Sequence, residues 1–392
     1  GTMKKYDQNY QFATKAIHSG QEPDPSTGAV IGPIYATSTY AQESPGVFKG
    51  YDYSRTSNPT RKSLENCIAD LESGGAGFAF ASGMAATATI LEMLDSGDHV
   101  ISMDDVYGGT YRLFENVRKR SAGIEFSFAN LSDPESLKAN LKENTKMIWV
   151  ESPSNPLLKI VDLRAVSTFA KEHDLITVCD NTFCSPYIQK PIELGFDLVV
   201  HSATKYLNGH SDVVGGIAVC SKERQDLAEQ LGFLSNSVGS IMSPFDSFLV
   251  LRSLKTLPVR MQRHCENASE VASFLESHEA VSRVYYPGLP DHPNHSVTKS
   301  QMNGFGGMVT AVLKGGLTSA TKFLERTELF TLAESLGGVE SLIEHPAIMT
   351  HASIPAEIRK ELGIDDGLVR LSVGIESVED LVRDLDNALL NL

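Results

Sequence analysis

The chain has 392 residues, 41% of them hydrophobic and 21% charged, and 31 glycines bring the apolar share to about half. That composition describes a globular chain and excludes global disorder or a fibrous repeat, and the length predicts two domains. The 34 basic residues against 49 acidic ones give a net charge of −15, which disfavours nucleic acid as a partner, because phosphate binding needs concentrated positive charge.

The one dense basic run, Arg118-Lys119-Arg120, reads as solvated surface. Five scattered cysteines without a CxxC pair predict reduced thiols and a cytoplasmic location. The opening residues lack the apolar core of a signal peptide, and Gly1-Thr2 reads as a tag remnant ahead of Met3. No run of 18 strongly apolar residues predicts a membrane span.

Residues 1–60 carry turn formers and aromatics but little periodicity. They predict an arm that wraps over another domain or subunit. From about 61 to 250, helical and strand patterns alternate. Leu64, Cys67, Ile68 and Leu71 repeat at helix spacing, Ser82 to Leu94 reads as helix, and His99 to Ser102 as strand. Ser132 with Glu135 signals a capping box for a helix through Leu141. Met147–Val150, Leu175–Val178, Phe196–His201 and Gly216–Cys220 read as strands, with a helix over Asp162–His173. Short apolar strands separated by helices imply an α/β domain with a mostly parallel sheet. Beyond a long helical stretch at about 243–278, strand patterns at Val281–Tyr285, Gly307–Leu313 and Leu368–Val373 mix with helices. These predict a smaller α+β domain over 251–392.

Lys205 follows a nearly all-apolar strand. The carboxyl ends of strands in an open α/β sheet are where ligands bind, and a partly desolvated lysine there has its pKa lowered enough to act as a nucleophile. The duller reading is a surface lysine in a loop. Asp180 ends the preceding strand; alone it reads equally as a helix cap or a metal ligand. Paired with Lys205 it suggests pyridoxal 5′-phosphate (PLP), with the lysine as Schiff base and the carboxylate holding the pyridine nitrogen protonated. Ser82-Gly83-Met84 opens a helix, where free N–H groups and the positive helix end suit the phosphate, and Ser202 and Thr204 add hydroxyls. His292 and His295 form an HxxH pair with no third ligand at metal spacing, so no metal site is expected. Cys179 and Cys184 read as buried small residues, and His201 and His210 as residues that shape the lysine loop.

Several blocks together carry a resemblance. Ser202-Ala203-Thr204-Lys205-Tyr206, then Gly209 to Gly215, Tyr53-Ser54-Arg55 with Asn58-Pro59-Thr60, Tyr107 to Arg112, Glu151 to Pro156, Ala333 to Gly338, and Arg370 to Gly374 resemble the Cys/Met-metabolism family of PLP enzymes, in family order and over nearly the whole chain. The resemblance implies a PLP-dependent transferase-like, fold type I architecture and a homotetramer built as a dimer of dimers. It implies that Lys205 binds PLP covalently as an aldimine and shuttles protons, that Asp180 pairs with the pyridine nitrogen, and that Tyr107 stacks on the ring. Ser82, Gly83, Met84, Thr182, Ser202 and Thr204 would complete the cofactor site, with Tyr53 and Arg55 reaching it from the neighbouring subunit. Arg370, aided by Asn155 and Ser335, would clamp the substrate carboxylate. Glu334 would meet the distal ammonium of cystathionine. Arg112 stands as a further substrate contact or as a plain surface residue.

Within the family, Gly109 argues against methionine γ-lyase and Leu336 against cystathionine β-lyase. The expected activity is cystathionine γ-lyase, releasing L-cysteine, 2-oxobutanoate and ammonia, with hydrogen sulfide from cysteine as a side reaction. The alternative is cystathionine γ-synthase, acting on O-succinyl- or O-acetyl-homoserine. A PLP-binding protein without catalysis, or a scaffold protein, is the remote one.

Overall fold

The computed structural model describes residues 10–392, and the tag-remnant reading of Gly1 and Thr2 lies outside the described residues. The fold is α/β, with a mostly parallel large sheet and a smaller second sheet. The large sheet comprises β1 (Ala76–Phe80), β2 (His99–Met103), β3 (Glu125–Ala129), β4 (Thr145–Glu151), β5 (Ile176–Asp180), β6 (Leu198–Ser202) and β7 (Gly216–Cys220). The smaller comprises β8 (Val281–Tyr285), β9 (Met308–Leu313), β10 (Thr331–Leu332), β11 (Leu342–Glu344) and β12 (Leu368–Ser372). By contacts the chain divides into two compact units. The first holds the described residues up to Met93 together with Asp197–Pro258; the second holds Leu94–Phe196 and Val259–Leu392.

In the first unit β7 lies between β1 and β6, antiparallel to both. Helix Pro59–Leu71 begins where Asn58 accepts the N–H groups of Thr60 and Arg61, with Pro59 supplying a first turn that needs no donor. Helix Gly83–Leu91 follows β1 directly; Ser82 caps it by accepting the Ala85 N–H at 2.9 Å. The helical stretch expected at about 243–278 is two helices, Pro244–Leu254 and Leu257–Ser277. Pro258 explains the break: it has no N–H for the Leu254 carbonyl and its ring would clash there. Helix Gln225–Val238 buries only Leu227 and Leu231, too sparse an apolar stripe to be read from the sequence.

In the second unit β5, β4, β2 and β3 are parallel neighbours in that order. The capping box expected from Ser132 and Glu135 does not form. Helix Glu135–Asn140 starts after Pro134, and the Ser132 N–H and hydroxyl both turn back to Asn130 Oδ1. The smaller sheet runs β10-β11-β12-β9-β8, with Val271, Val309, Phe323, Ile343, Leu371 and Leu385 in its core. Two of its five strands were invisible to pattern, because β10 and β11 have only 2 and 3 residues. Cys179 and Cys184 are both fully buried. No helix among the described residues is long and apolar enough to cross a membrane.

Candidate active site

The sequence-derived residues fall into two groups, one in each unit. The first is built around the end of β6. Ser202 closes that strand, and Lys205 sits half-buried in the tight turn after it, donating its N–H to the Ser202 carbonyl at 3.2 Å while its own carbonyl accepts from Gly209 at 2.7 Å. Thr204 Oγ1 accepts the Gly215 N–H at 3.1 Å and the Ala203 N–H meets the Gly215 carbonyl at 2.8 Å, so the lysine loop is pinned back onto the chain entering β7. Beneath it, His201 Nε2 and Glu72 Oε2 lie 2.7 Å apart, both fully buried. Glu72 ends helix Pro59–Leu71 and carries no sequence signal, because an acidic residue at a helix C-terminus reads as surface.

The start of helix Gly83–Leu91 lies against the same strand. A Cβ built on Gly83 would stand 3.0 Å from both Cα and Cβ of Ser202. The glycine therefore lets the N-terminal amides of the helix and the Ser202 hydroxyl share one small space. The Gly83 and Met84 N–H groups belong to the turn that has no intrahelical acceptor. Donors only, at the positive end of a helix, fit a phosphate group. Ser82 Oγ accepts the Ala85 N–H as the cap of this helix.

Tyr53 and Arg55 are exposed and paired with each other, the guanidinium 5.0 Å from the ring centroid. Their loop is held from below by buried Arg61, whose Nη1 and Nη2 donate to the Ser54 and Arg55 carbonyls at 2.7 and 3.1 Å. Arg55 Nε also donates to Asn236 Oδ1 at 3.3 Å.

The second group gathers at the ends of β4 and β5 and in the middle of β12. Asp180, the last residue of β5, stands opposite Glu151, the last residue of β4. Its Oδ1 accepts the Thr182 N–H at 3.0 Å and the Thr182 hydroxyl at 2.5 Å, so Thr182 orients the carboxylate. Burial, and then the neighbouring Asp180 charge, push Glu151 well above the usual carboxylate range, although it accepts the Tyr107 N–H at 3.0 Å. Tyr107 precedes helix Gly108–Arg112, and a Cβ on Gly109 would fall 2.5 Å from its ring, so Gly109 is what allows the ring to lie there. Burial raises the Tyr107 pKa; the charge of Glu334 adds to the rise and those of Arg112 and Arg370 oppose it. Tyr107 is thus a neutral phenol at neutral pH, between an acid and two bases.

Arg370 is buried in β12. Its Nη1 donates to Asn155 Oδ1 at 3.0 Å and to Glu344 Oε1 at 3.1 Å, and its Nη2 to the Ser335 carbonyl at 3.0 Å; its Nε has no hydrogen-bond partner among the described residues. Ser335 contributes a backbone oxygen from a left-handed conformation, φ +92°, and its hydroxyl makes none of these bonds. Glu344, directly opposite Arg370 in the β11–β12 ladder, belongs to the site and was not anticipated. Its strand is too short to read, so nothing in the sequence sets it beside an arginine 26 positions away. Glu334 and Arg112 are exposed.

His292 and His295 spend ring nitrogens on the Leu158 and Pro287 carbonyls, at 2.9 and 3.0 Å. No cluster of three His, Cys, Asp or Glu residues suited to a metal occurs among the described residues.

Residues 13–390 match the family described as Cys/Met metabolism PLP-dependent enzyme. The chain is 65% identical over 376 residues to cystathionine beta-lyase of Coxiella burnetii, covering 96% of this chain and 97% of that protein. It is 52% identical over 380 residues to cystathionine gamma-synthase of Mycobacterium leprae, covering 96% of each. The crystal structure of cystathionine gamma-lyase from Lactobacillus plantarum complexed with L-serine superposes with a TM-score of 0.94 at 48% identity, over 97% of this chain and 98% of that one. Leu336 argues against β-lyase activity, but a relative of that name at 65% identity returns that activity to consideration.

Proposed function

This chain belongs to the Cys/Met-metabolism family of PLP-dependent enzymes, and from that membership we propose that it cleaves L-cystathionine at Cγ, giving L-cysteine, 2-oxobutanoate and ammonia. That it is a PLP-dependent enzyme of carbon–sulfur chemistry follows from the family; the substrate and the bond broken are the proposal. When bound, PLP supplies an electron sink for the charge left at carbon after proton removal. The chain supplies position and protons. Lys205 would be the covalent attachment point and, once freed, its ε-amino group would take the Cα proton, deliver it to C4′ and so be able to take the Cβ proton next. Asp180 keeps the pyridine nitrogen protonated, oriented by Thr182, and Tyr107 covers the ring. The amides of Gly83 and Met84 with the hydroxyls of Ser202 and Thr204 hold the phosphate, and Ser82 fixes the helix that presents those amides.

Arg370 takes the substrate α-carboxylate, with Asn155 and Ser335 fixing its guanidinium. Tyr107, a phenol rather than a phenolate, protonates the departing cysteine sulfur. The observation that carries the choice of substrate is the pair of opposite charges bearing on Tyr107, Glu334 and Arg112. L-cystathionine has an amino-acid group at each end: its proximal end goes to Arg370, its distal ammonium to Glu334 and its distal carboxylate to Arg112. The domain division carried into this reading is an arm (1–60), a PLP-binding domain (61–250) and a C-terminal domain (251–392). Tyr53 and Arg55 of the arm serve a neighbouring subunit's phosphate in a cytoplasmic homotetramer.

Cleavage at Cβ, giving pyruvate, ammonia and homocysteine, is the second reading, favoured by the relative of 65% identity. Two parallel assays test the proposal: PLP-loaded enzyme with L-cystathionine alone, and with L-cysteine plus O-succinyl- or O-acetyl-homoserine. Rapid release of 2-oxobutanoate in the first with little cystathionine formed in the second is the expected result. Efficient cystathionine formation in the second would make the enzyme a synthase.

A further inference from the structure

Arg370 is one end of a buried chain of polar groups. Thr350 Oγ1 lies 2.9 Å from Glu344 Oε1, the oxygen that also meets Arg370, and 2.8 Å from His351 Nδ1. The other ring nitrogen, His351 Nε2, faces the Asn155 and Val106 carbonyls at 3.0 and 3.2 Å. Carbonyl oxygens only accept, so Nε2 carries a proton. Burial and the neighbouring Arg370 charge lower the His351 pKa to about 4, which leaves Nδ1 as a bare acceptor at neutral pH.

The Thr350 hydroxyl then has one proton for two acceptors, the Glu344 carboxylate and His351 Nδ1. One contact goes without a proton unless the chain gains another. With one added proton every link is made: Glu344 donates to Thr350, and Thr350 donates to Nδ1. The extra proton also removes the negative charge that faces Arg370. A second carboxylate arriving at that guanidinium favours this state, because one cation then no longer serves two anions.

We propose that Glu344, Thr350 and His351 are positioning residues that take up one proton from solvent when a carboxylate binds Arg370, so that carboxylate capture is coupled to protonation of Glu344. The inference rests on reading Arg370 as the carboxylate clamp. Other charged or titratable groups facing the chain are Tyr107, Glu151 and Arg359, with Glu334 and Arg112 beyond Tyr107. The sign follows from the proton balance. Binding that consumes a proton weakens as pH rises, by up to about tenfold per pH unit.

The probe is butanoate, a carboxylate with no amino group to confuse the proton count. Its inhibition constant is read on the PLP-loaded enzyme, from thiol release with L-cystathionine, between pH 6.5 and 9. In the wild type the constant should rise with pH. Thr350→Val leaves a protonated Glu344 without an acceptor for its O–H. It should flatten the profile and weaken butanoate about tenfold at pH 7, as leaving a buried donor without an acceptor does. Thr350→Ser, which keeps the hydroxyl, should restore both. A wild-type constant independent of pH, or the same slope in Thr350→Val, overturns the proposal. Arg370→Ala separates the two readings: if butanoate inhibits it as well as the wild type, the clamp itself is wrong, whatever the slopes show.

Discussion

In the proposed reading Lys205 is the residue on which the chemistry turns. Lys205→Ala should bind PLP without covalent attachment. The absorbance near about 420 nm that borohydride bleaches in the wild type should be missing, and C–S cleavage should fall by at least about a thousandfold, as loss of both nucleophile and proton carrier requires. A Lys205→Ala protein that keeps the borohydride-sensitive band would place the attachment elsewhere. This lysine was legible because a single polar cluster follows an apolar strand, and Asp180 for the same reason on β5. Glu151 offers the same signal at the end of β4, yet its carboxyl reaches the Tyr107 backbone, a contact that no strand pattern encodes. Glu344 and Thr350 were not legible at all. Their roles come from cross-strand register and from a non-helical turn, which side-chain type does not reveal.

At the level of elements, the start of helix Gly83–Leu91 is the part most exposed to a single substitution. Gly83→Ala puts a methyl 3.0 Å from the Ser202 backbone and side chain, so either the helix start or Ser202 must shift by a few tenths of an ångström. Charge-assisted hydrogen bonds depend steeply on such distances. PLP affinity, measured by equilibrium dialysis of the apoenzyme, should weaken on the order of tenfold. Unchanged affinity would remove this helix from the phosphate site. Elements with dense apolar stripes, such as β7 and Leu163–Glu172, fall within a residue or two of where their pattern predicts. The failures have separate causes: Pro258 splits one helix, Asn130 diverts Ser132 from its cap, and helix Gln225–Val238 buries too little to show.

For the whole molecule, burial raises Glu65 from its ordinary 4.5 to about 7, against the opposing charge of Arg61. Between those values the folded chain holds a proton that the unfolded chain has released. The stability this group contributes is therefore complete below about 4.5 and is lost as pH rises through about 7. His264 and His351, each lowered to about 4, act in the opposite sense, because the unfolded chain is the one that binds protons between about 4 and 6.5. Glu65→Gln isolates the first contribution. Its melting temperature relative to the wild type should rise by a few degrees between pH 5 and pH 8, and a constant difference would show that Glu65 titrates alike in both states.

The arm makes a separate demand. Tyr53 and Arg55 are exposed, as the proposed reading requires of groups that serve a neighbouring subunit's phosphate. Sedimentation should therefore find at least a dimer at assay concentrations. A fully active monomer would contradict the assignment of Tyr53 and Arg55 to a neighbouring subunit's phosphate.

The most direct test of the central claim is the identity of the 2-oxo acid and the thiol released from L-cystathionine by the PLP-loaded enzyme. Cleavage at Cγ predicts 2-oxobutanoate as the 2-oxo acid and cysteine as the thiol first released. Pyruvate and homocysteine in their place would mean that the bond at Cβ is broken and would contradict the assignment.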